Sequence, residues 1–414
     1  MWKLFKHLLL LSGLYLISSY LLSNKNNVCK TFGDYNFPEG NENCYHDADA
    51  TLDTPKIVEK YAGKVEIHEV TTEDNYILTL FRIPRPNAKG VILMHHSIAT
   101  HSRIYLWQGN DSLAITLWRN GFDVWLANQR GTSYSNKHTH LSKYDFRYWN
   151  FSVHEMGLYD VSSEIDLIRK KTNGSKIIYF GHSLGSAIGL VYSSLKPDEA
   201  KNYLKSMILA APSSYFEHSN NIMGFMPNIQ ILLLKLMEFL QIGSPFLFLP
   251  LWIHSSRIFL RLFPMITFVA AVLVGVLCGF SFSELDPTFF NYEATNYLNN
   301  FSWKTIHHFY QMVVRNTFQM FDYGEEKNFE IYGSKSPLLY PIGEIKVPTL
   351  IVSSERDNLV TIKDVERVFE ELSPEAKVHG HWKLPFLNHL DYLTGLRRKE
   401  LFVDTLLAFL NNLK

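Results

Sequence analysis

Three residues in this chain of 414 have types and surroundings suited to acyl transfer: Ser183, Asp357 and His389. A serine hydroxyl is a weak nucleophile, so it needs a base to take its proton and an acid to orient that base. Ser183 lies in Gly181-His182-Ser183-Leu184-Gly185. The apolar run 177–180 before it reads as a buried strand, and Ser186, Ala187 and Gly189 after it begin a small-residue helical pattern that Pro197 ends. A serine at the tip of a strand-to-helix turn has a strained backbone, and side chains two residues to either side would collide. Gly181 and Gly185 remove those side chains, and the helix start behind Ser183 turns N–H groups and its positive dipole end toward any oxyanion formed there.

Strand, Gly-x-Ser-x-Gly and helix together resemble the nucleophile elbow of the α/β-hydrolases, in which the acid follows a late strand and the base follows the last one, in the order serine, acid, histidine. Asp357 lies just beyond the strand expected over 347–353, with Glu355 and Asp364 as competitors. Asp364 falls inside a helix expected over 363–372 and is read as solvated. His389 follows the strand expected over 378–384, whereas His379 and His381 stand before or within it.

The elements that must position these residues alternate along the chain. Strands are expected at 66–70, 76–82, 90–94, 122–126, 177–180 and 207–211, with a helix around Met156, Tyr159, Val161 and Ile165. Strand, loop, helix, strand in repetition implies a parallel sheet with crossover helices. From 214 to about 322 no strand is evident and long apolar runs dominate. The alternation then resumes and ends in an amphipathic helix over 397–410. A sheet interrupted and resumed implies an insertion above the carboxyl ends of its strands.

Hydrophobic residues make up 46% of the chain, enough to bury a large core. Forty basic residues balance forty acidic ones, which points away from nucleic acid. Lys3, Lys6 and His7 precede an uncharged run over 8–22, the pattern of a secretory signal or signal anchor covering 1–23. Residues 24–53 are polar and read as a loose extension. In an oxidising lumen Cys29 and Cys44 are a candidate disulfide, leaving Cys278 as a buried thiol. Asn110, Asn150, Asn173 and Asn300 stand in glycosylation sequons. The pairs His138/His140, His307/His308 and His379/His381 lack a third ligand, so neither a metal nor another cofactor is expected.

From Pro55 onward, apart from the middle of the insertion, the chain resembles the acid lipases, the gastric and lysosomal family. The matching stretches are VTTEDNYILTLFRIP, FDVWLANQRGTSYS, YWNFSVHEMGLYDV, GHSLG, FDYG and NHLDYLTG. The resemblance implies an α/β-hydrolase fold: a mostly parallel central sheet flanked by helices, with the core in 54–213 and 323–414 and a helical cap in 214–322. It implies hydrolysis of neutral lipid esters, acylglycerols or steryl esters, at a lipid–water interface in the secretory pathway, secreted or lysosomal. Its triad falls on Ser183, Asp357 and His389, and its oxyanion donors fall on the backbone N–H groups of Ser97 and Leu184. Two departures stand out. The family's His-Gly-Leu is His95-His96-Ser97 here, and Leu184 replaces Gln after the nucleophile. His96 is read as distorting the loop or crowding the acyl pocket, so His96→Gly is expected to leave activity unchanged or raise it.

Two other activities share this triad, acyl transfer to an alcohol and general carboxylesterase action. An inactive binding protein on the same fold is the reading from a different class. The uncharged run 265–282 just meets the length of a membrane span, but a crossing there would leave strands of one sheet on opposite sides of a membrane. It reads instead, with 229–240 and 246–253, as a hydrophobic cap. Membrane contact is then peripheral or through the N-terminal anchor.

Overall fold

The computed structural model describes residues 26–219, 227–245, 247, 265–289 and 296–413. The signal at 1–23 and nearly all of the apolar run 246–253 lie outside the described residues.

Nine strands form the main sheet: β3 (Glu66–Thr71), β4 (Tyr76–Ile83), β5 (Gly90–His95), β6 (Phe122–Leu126), β7 (Lys137–His138), β8 (Ile177–His182), β9 (Leu204–Ala210), β10 (Thr349–Ser354) and β11 (His381–Leu384). Their spatial order is β11-β10-β9-β8-β5-β6-β4-β3, with β7 added to β4. From β11 to β6 every pairing is parallel; β3, β4 and β7 pair antiparallel. Burial follows this plan. All residues of β6 and β8 are buried, as strands covered by helices on both faces must be, while β3 alternates at the edge. This is the α/β architecture expected, and it brings the carboxyl ends of β5, β6, β8, β9 and β10 to one rim.

The insertion between β9 and β10 holds the helices Pro227–Phe239, Met265–Cys278, Trp303–Arg315 and Glu325–Tyr332. Among the described residues it has no strand, only the isolated bridge Gln319–Leu339. Met265–Cys278 has 14 residues. It is therefore about 21 Å long against a hydrocarbon core of about 30 Å. No helix among the described residues is long and apolar enough to cross a membrane.

Of the described residues, 26–52, 265–273, 286–289 and 296 belong to a small compact unit and the rest to a larger one holding the main sheet. The small unit corrects the expectation of a loose extension over 24–53. β1 (Val28–Cys29) and β2 (Cys44–Tyr45) pair antiparallel, and Cys29 and Cys44 are register partners joined by a disulfide. The polar composition has a structural purpose. Asn27 Oδ1 accepts from the Asp47 N–H (2.6 Å) while its Nδ2–H donates to the Asp47 carbonyl (2.9 Å). Asp34 accepts from the Thr31 hydroxyl (2.7 Å) and from Asn41 (3.1 Å). Side chains here close turns that backbone pairing leaves open.

Three further differences have local causes. The strand expected over 378–384 begins only at His381, because Ala376–His379 turns as a 3-10 helix and Gly380 reverses the chain at φ +79°. The final helix runs through a wide turn, Lys399–Val403, into Asp404–Asn412. The helices Thr54–Ala62, Leu113–Arg119 and Glu325–Tyr332 were not expected from the sequence.

Candidate active site

Ser183 sits between β8 and the helix Leu184–Leu195 with φ +56° and ψ −115°, a conformation L-residues rarely adopt. Close packing enforces it. A Cβ on Gly181 would lie 2.6 Å from the Gly185 carbonyl, and one on Gly185 would lie 2.1 Å from the His95 carbonyl oxygen. The Ser183 N–H donates to the Ala210 carbonyl (2.9 Å), which also accepts from the Ser186 hydroxyl (2.9 Å). Ser183 is thus tied to β9, one of the two strands flanking β8.

The structure brings the three expected residues into one hydrogen-bonded chain. Ser183 Oγ lies 2.8 Å from His389 Nε2, and His389 Nδ1 lies 2.8 Å from Asp357 Oδ2. The other Asp357 oxygen accepts from the N–H groups of Leu359 (3.0 Å) and Val360 (2.8 Å), leaving the carboxylate no freedom to turn. His182 supports His389: its Nε2–H donates to the His389 carbonyl (2.8 Å), and burial pushes its pKa down to about 3, so the ring is neutral. Asn388, one residue before the base, donates its backbone N–H to Asp391 (2.8 Å), whose carboxyl burial pushes up to about 6.

The competing residues lie elsewhere. Glu355 is exposed. Asp364 is in the helix Ile362–Glu371 but is buried, not solvated. It accepts from the Thr361 hydroxyl (2.8 Å) and the His218 N–H (3.1 Å), so it ties that helix to the chain after β9. His381 is on β11, its Nε2 2.7 Å from Ser353 Oγ, and His379 ends the turn before it.

Ser97 follows β5 beside the elbow, since His95 and Gly181 are register partners. Among the described residues, neither the Ser97 nor the Leu184 N–H donates to a protein acceptor. His96 has protein partners of its own. Its ring is wholly buried against the loop after β6, where Nε2 accepts from the Gln129 N–H (3.1 Å), and burial pushes its pKa down to about 3.

Sequence reasoning missed two contributors. Ser213, buried after β9, puts its Oγ 3.0 Å from Ser183 Oγ. With the Ser183 proton on the His389 side, Ser213 is the donor to Ser183 Oγ. The Cys278 carbonyl accepts from the N–H groups of both Asn358 (3.4 Å) and His389 (3.1 Å). Its thiol is buried and unpaired, as expected, with its pKa pushed up to about 12 by burial. A cavity of about 470 Å³ within the larger unit, walled by Trp149, Trp303, Phe321 and Tyr323, contains none of the triad. Of the sequon asparagines, Asn110, Asn150 and Asn173 are exposed and Asn300 is half-buried, accepting from the Ser244 hydroxyl. No cluster suited to a metal ion occurs among the described residues.

Comparison with known proteins bears on the fold and the family. Residues 54–109 match the partial α/β-hydrolase lipase region, and 90–238 match the α/β hydrolase fold. The chain is 30% identical to Lipase 1 of Drosophila melanogaster over 364 residues, covering 87% of this chain and 80% of that protein. It is 29% identical to human lysosomal acid lipase/cholesteryl ester hydrolase, covering 84% and 88%. The fold also matches a solved α/β hydrolase, GrgF from Penicillium sp. sh18, at TM-score 0.50 and 13% identity, covering 84% of this chain and 98% of the other. The chain belongs to the acid lipase family, the gastric and lysosomal type, of the α/β-hydrolase fold.

Proposed function

We propose that this protein hydrolyses carboxylic esters of neutral lipids, acylglycerols or steryl esters, through an acyl-enzyme on Ser183. The observation that supports this reading most is the Ser183–His389–Asp357 hydrogen-bond chain with the nucleophile on a strained elbow. His389 Nε2 takes the hydroxyl proton as Ser183 Oγ bonds to the ester carbonyl carbon. The oxygen that becomes negative is held by the N–H groups of Ser97 and Leu184, and Asp357 stabilises the imidazolium. His389 then gives its proton to the departing alcohol, and water repeats the sequence to release the acid. No cofactor enters.

Ser183 and His389 are each 3% exposed. The insertion is read as a lid that moves to admit a lipid ester. Leu232, Leu233, Leu236 and Phe239 on one insertion helix, and Phe268, Val269, Leu273 and Val276 on another, are exposed apolar side chains suited to a lipid surface. The disulfide Cys29–Cys44 fits an oxidising compartment, secreted or lysosomal.

The test uses purified protein lacking residues 1–23, assayed on triacylglycerol, steryl ester and short p-nitrophenyl esters. Hydrolysis and fluorophosphonate labelling should both require Ser183. Activity should rise on emulsified over dissolved substrate, and carbonate should release the protein from membranes. Labelling that survives Ser183→Ala overturns the nucleophile assignment, and retention after carbonate overturns the cap reading.

A further inference from the structure

β5 lies between β6 and β8 in the sheet. The elbow leaves β8 on one side of it, and the loop with Asn128 and Gln129 leaves β6 on the other. The peptide joining His96 to Ser97 stands between the two. In a trans peptide the carbonyl and the N–H point in opposite directions, so whatever holds the His96 carbonyl also aims the Ser97 N–H.

The Gln129 side-chain Nε2–H donates to the His96 carbonyl at 2.6 Å. The exchange is reciprocal, since the Gln129 backbone N–H donates to His96 Nε2 at 3.1 Å. That bond leaves the ring proton on Nδ1, which donates to the Ser97 carbonyl at 2.8 Å. The Thr100 hydroxyl donates to the same carbonyl at 2.9 Å. Beyond it, Ala99 takes φ +59° and its carbonyl accepts from the Asn299 N–H at 2.7 Å. His96 is fully buried and Gln129 is 4% exposed, so water competes little for these bonds.

We infer that His96 and Gln129 form a clamp that sets the orientation of the 96–97 peptide, drawing its carbonyl toward β6 so that the Ser97 N–H faces the elbow on β8. This inference rests on the proposed hydrolase chemistry. It makes both side chains positioning residues for the oxyanion hole. Without the clamp, the peptide is free to rotate and turn its carbonyl, not its N–H, toward the developing negative charge.

Gln129→Met keeps the side chain's length and removes the donor; Gln129→Glu replaces the donor with an acceptor. The readouts are kcat and KM on p-nitrophenyl butyrate, inhibition by an alkylboronic acid whose tetrahedral adduct occupies the hole, and the melting temperature. One oxyanion donor is worth roughly 10²- to 10³-fold in rate, and a misdirected one should cost part of that. Both variants should lose about 10- to 100-fold in kcat and a similar factor in boronate affinity, with KM within about threefold and little change in melting temperature. Unchanged kcat and boronate affinity in a folded Gln129→Met protein overturn the clamp. So does a parallel loss of kcat, KM and melting temperature, which marks general packing. Should wild-type protein neither hydrolyse esters nor take up a fluorophosphonate, the hydrolase reading fails. The clamp is then judged by crystal structures: an identical 96–97 peptide orientation in wild type and Gln129→Met overturns it, and a rotated one supports it.

Discussion

The two halves of this site are held by different means. On the nucleophile side, steric exclusion fixes the geometry: at Gly181 and Gly185 a single added carbon would strike backbone atoms at 2.6 and 2.1 Å. In the loop after β5 no glycine contact sets the shape, and hydrogen bonds from the Gln129 side chain, Thr100 and Asn299 hold it. Steric exclusion leaves one conformation; hydrogen bonding favours one among several. The first half should therefore fail abruptly when altered and the second by degrees.

The largest expected effect is on the triad. Ser183→Ala and His389→Ala should each lower ester hydrolysis by about 10⁴-fold or more, and the double variant should be little worse than either, since the members act as a unit. Rates measured for the two single variants and the double test this, and multiplicative losses would break the shared mechanism. Next comes His96→Gly, which removes the ring's bonds to Gln129 and Ser97. A loss of about 10- to 100-fold in kcat is expected, the opposite of what the sequence suggested. Unchanged or raised activity would return His96 to the role of an obstacle.

The third test reads stability. Asp391 has a folded pKa of about 6 against an ordinary 3.8. Between those values the folded state holds more protons than the unfolded, so stability falls as pH rises from about 4 to about 6. The cost is up to roughly 3 kcal/mol at neutral pH. Asp391→Asn should match wild type in urea unfolding at pH 4 and exceed it at pH 7. Equal midpoints at both pH values would show that the carboxyl is not strained by burial. The smallest effect is expected from Ser213→Ala, which removes one neutral hydrogen bond to the nucleophile and should lower kcat by about two- to fivefold. A fluorophosphonate labelling rate equal to wild type would show that Ser213 leaves the nucleophile unaided.

What was legible in the sequence follows the same division. Apolar runs bounded by turns revealed the strands, and two glycines around a serine revealed the elbow, because steric demands restrict residue types. Asp357 and His389 were found from their order after those strands. Gln129 and Ser213 left no trace: a neutral polar residue in a loop has no periodicity, and its partner is set by the tertiary fold. Asp364 was misjudged although a signal existed. Thr361 stands three residues before it, and the pair closes the start of a helix, with the Asp364 N–H donating to the Thr361 hydroxyl at 3.3 Å. The ordered turns of residues 26–52 were hidden for a related reason, since Asn, Asp and Thr serve loose chain and side-chain-capped turns equally well.

One carbonyl oxygen, that of Cys278, receives the N–H of His389 and the N–H of Asn358, the neighbour of Asp357. It stands at the last residue of an insertion helix, and Gly279 beyond it passes so close that a side chain would meet the Arg356 carbonyl at 1.7 Å. This end of the helix acts as a fixed pivot. Any opening that lifted it would pull His389 away from Asp357. Any movement that admits a lipid must therefore leave this turn in place, and a probe beside Cys278 should report none.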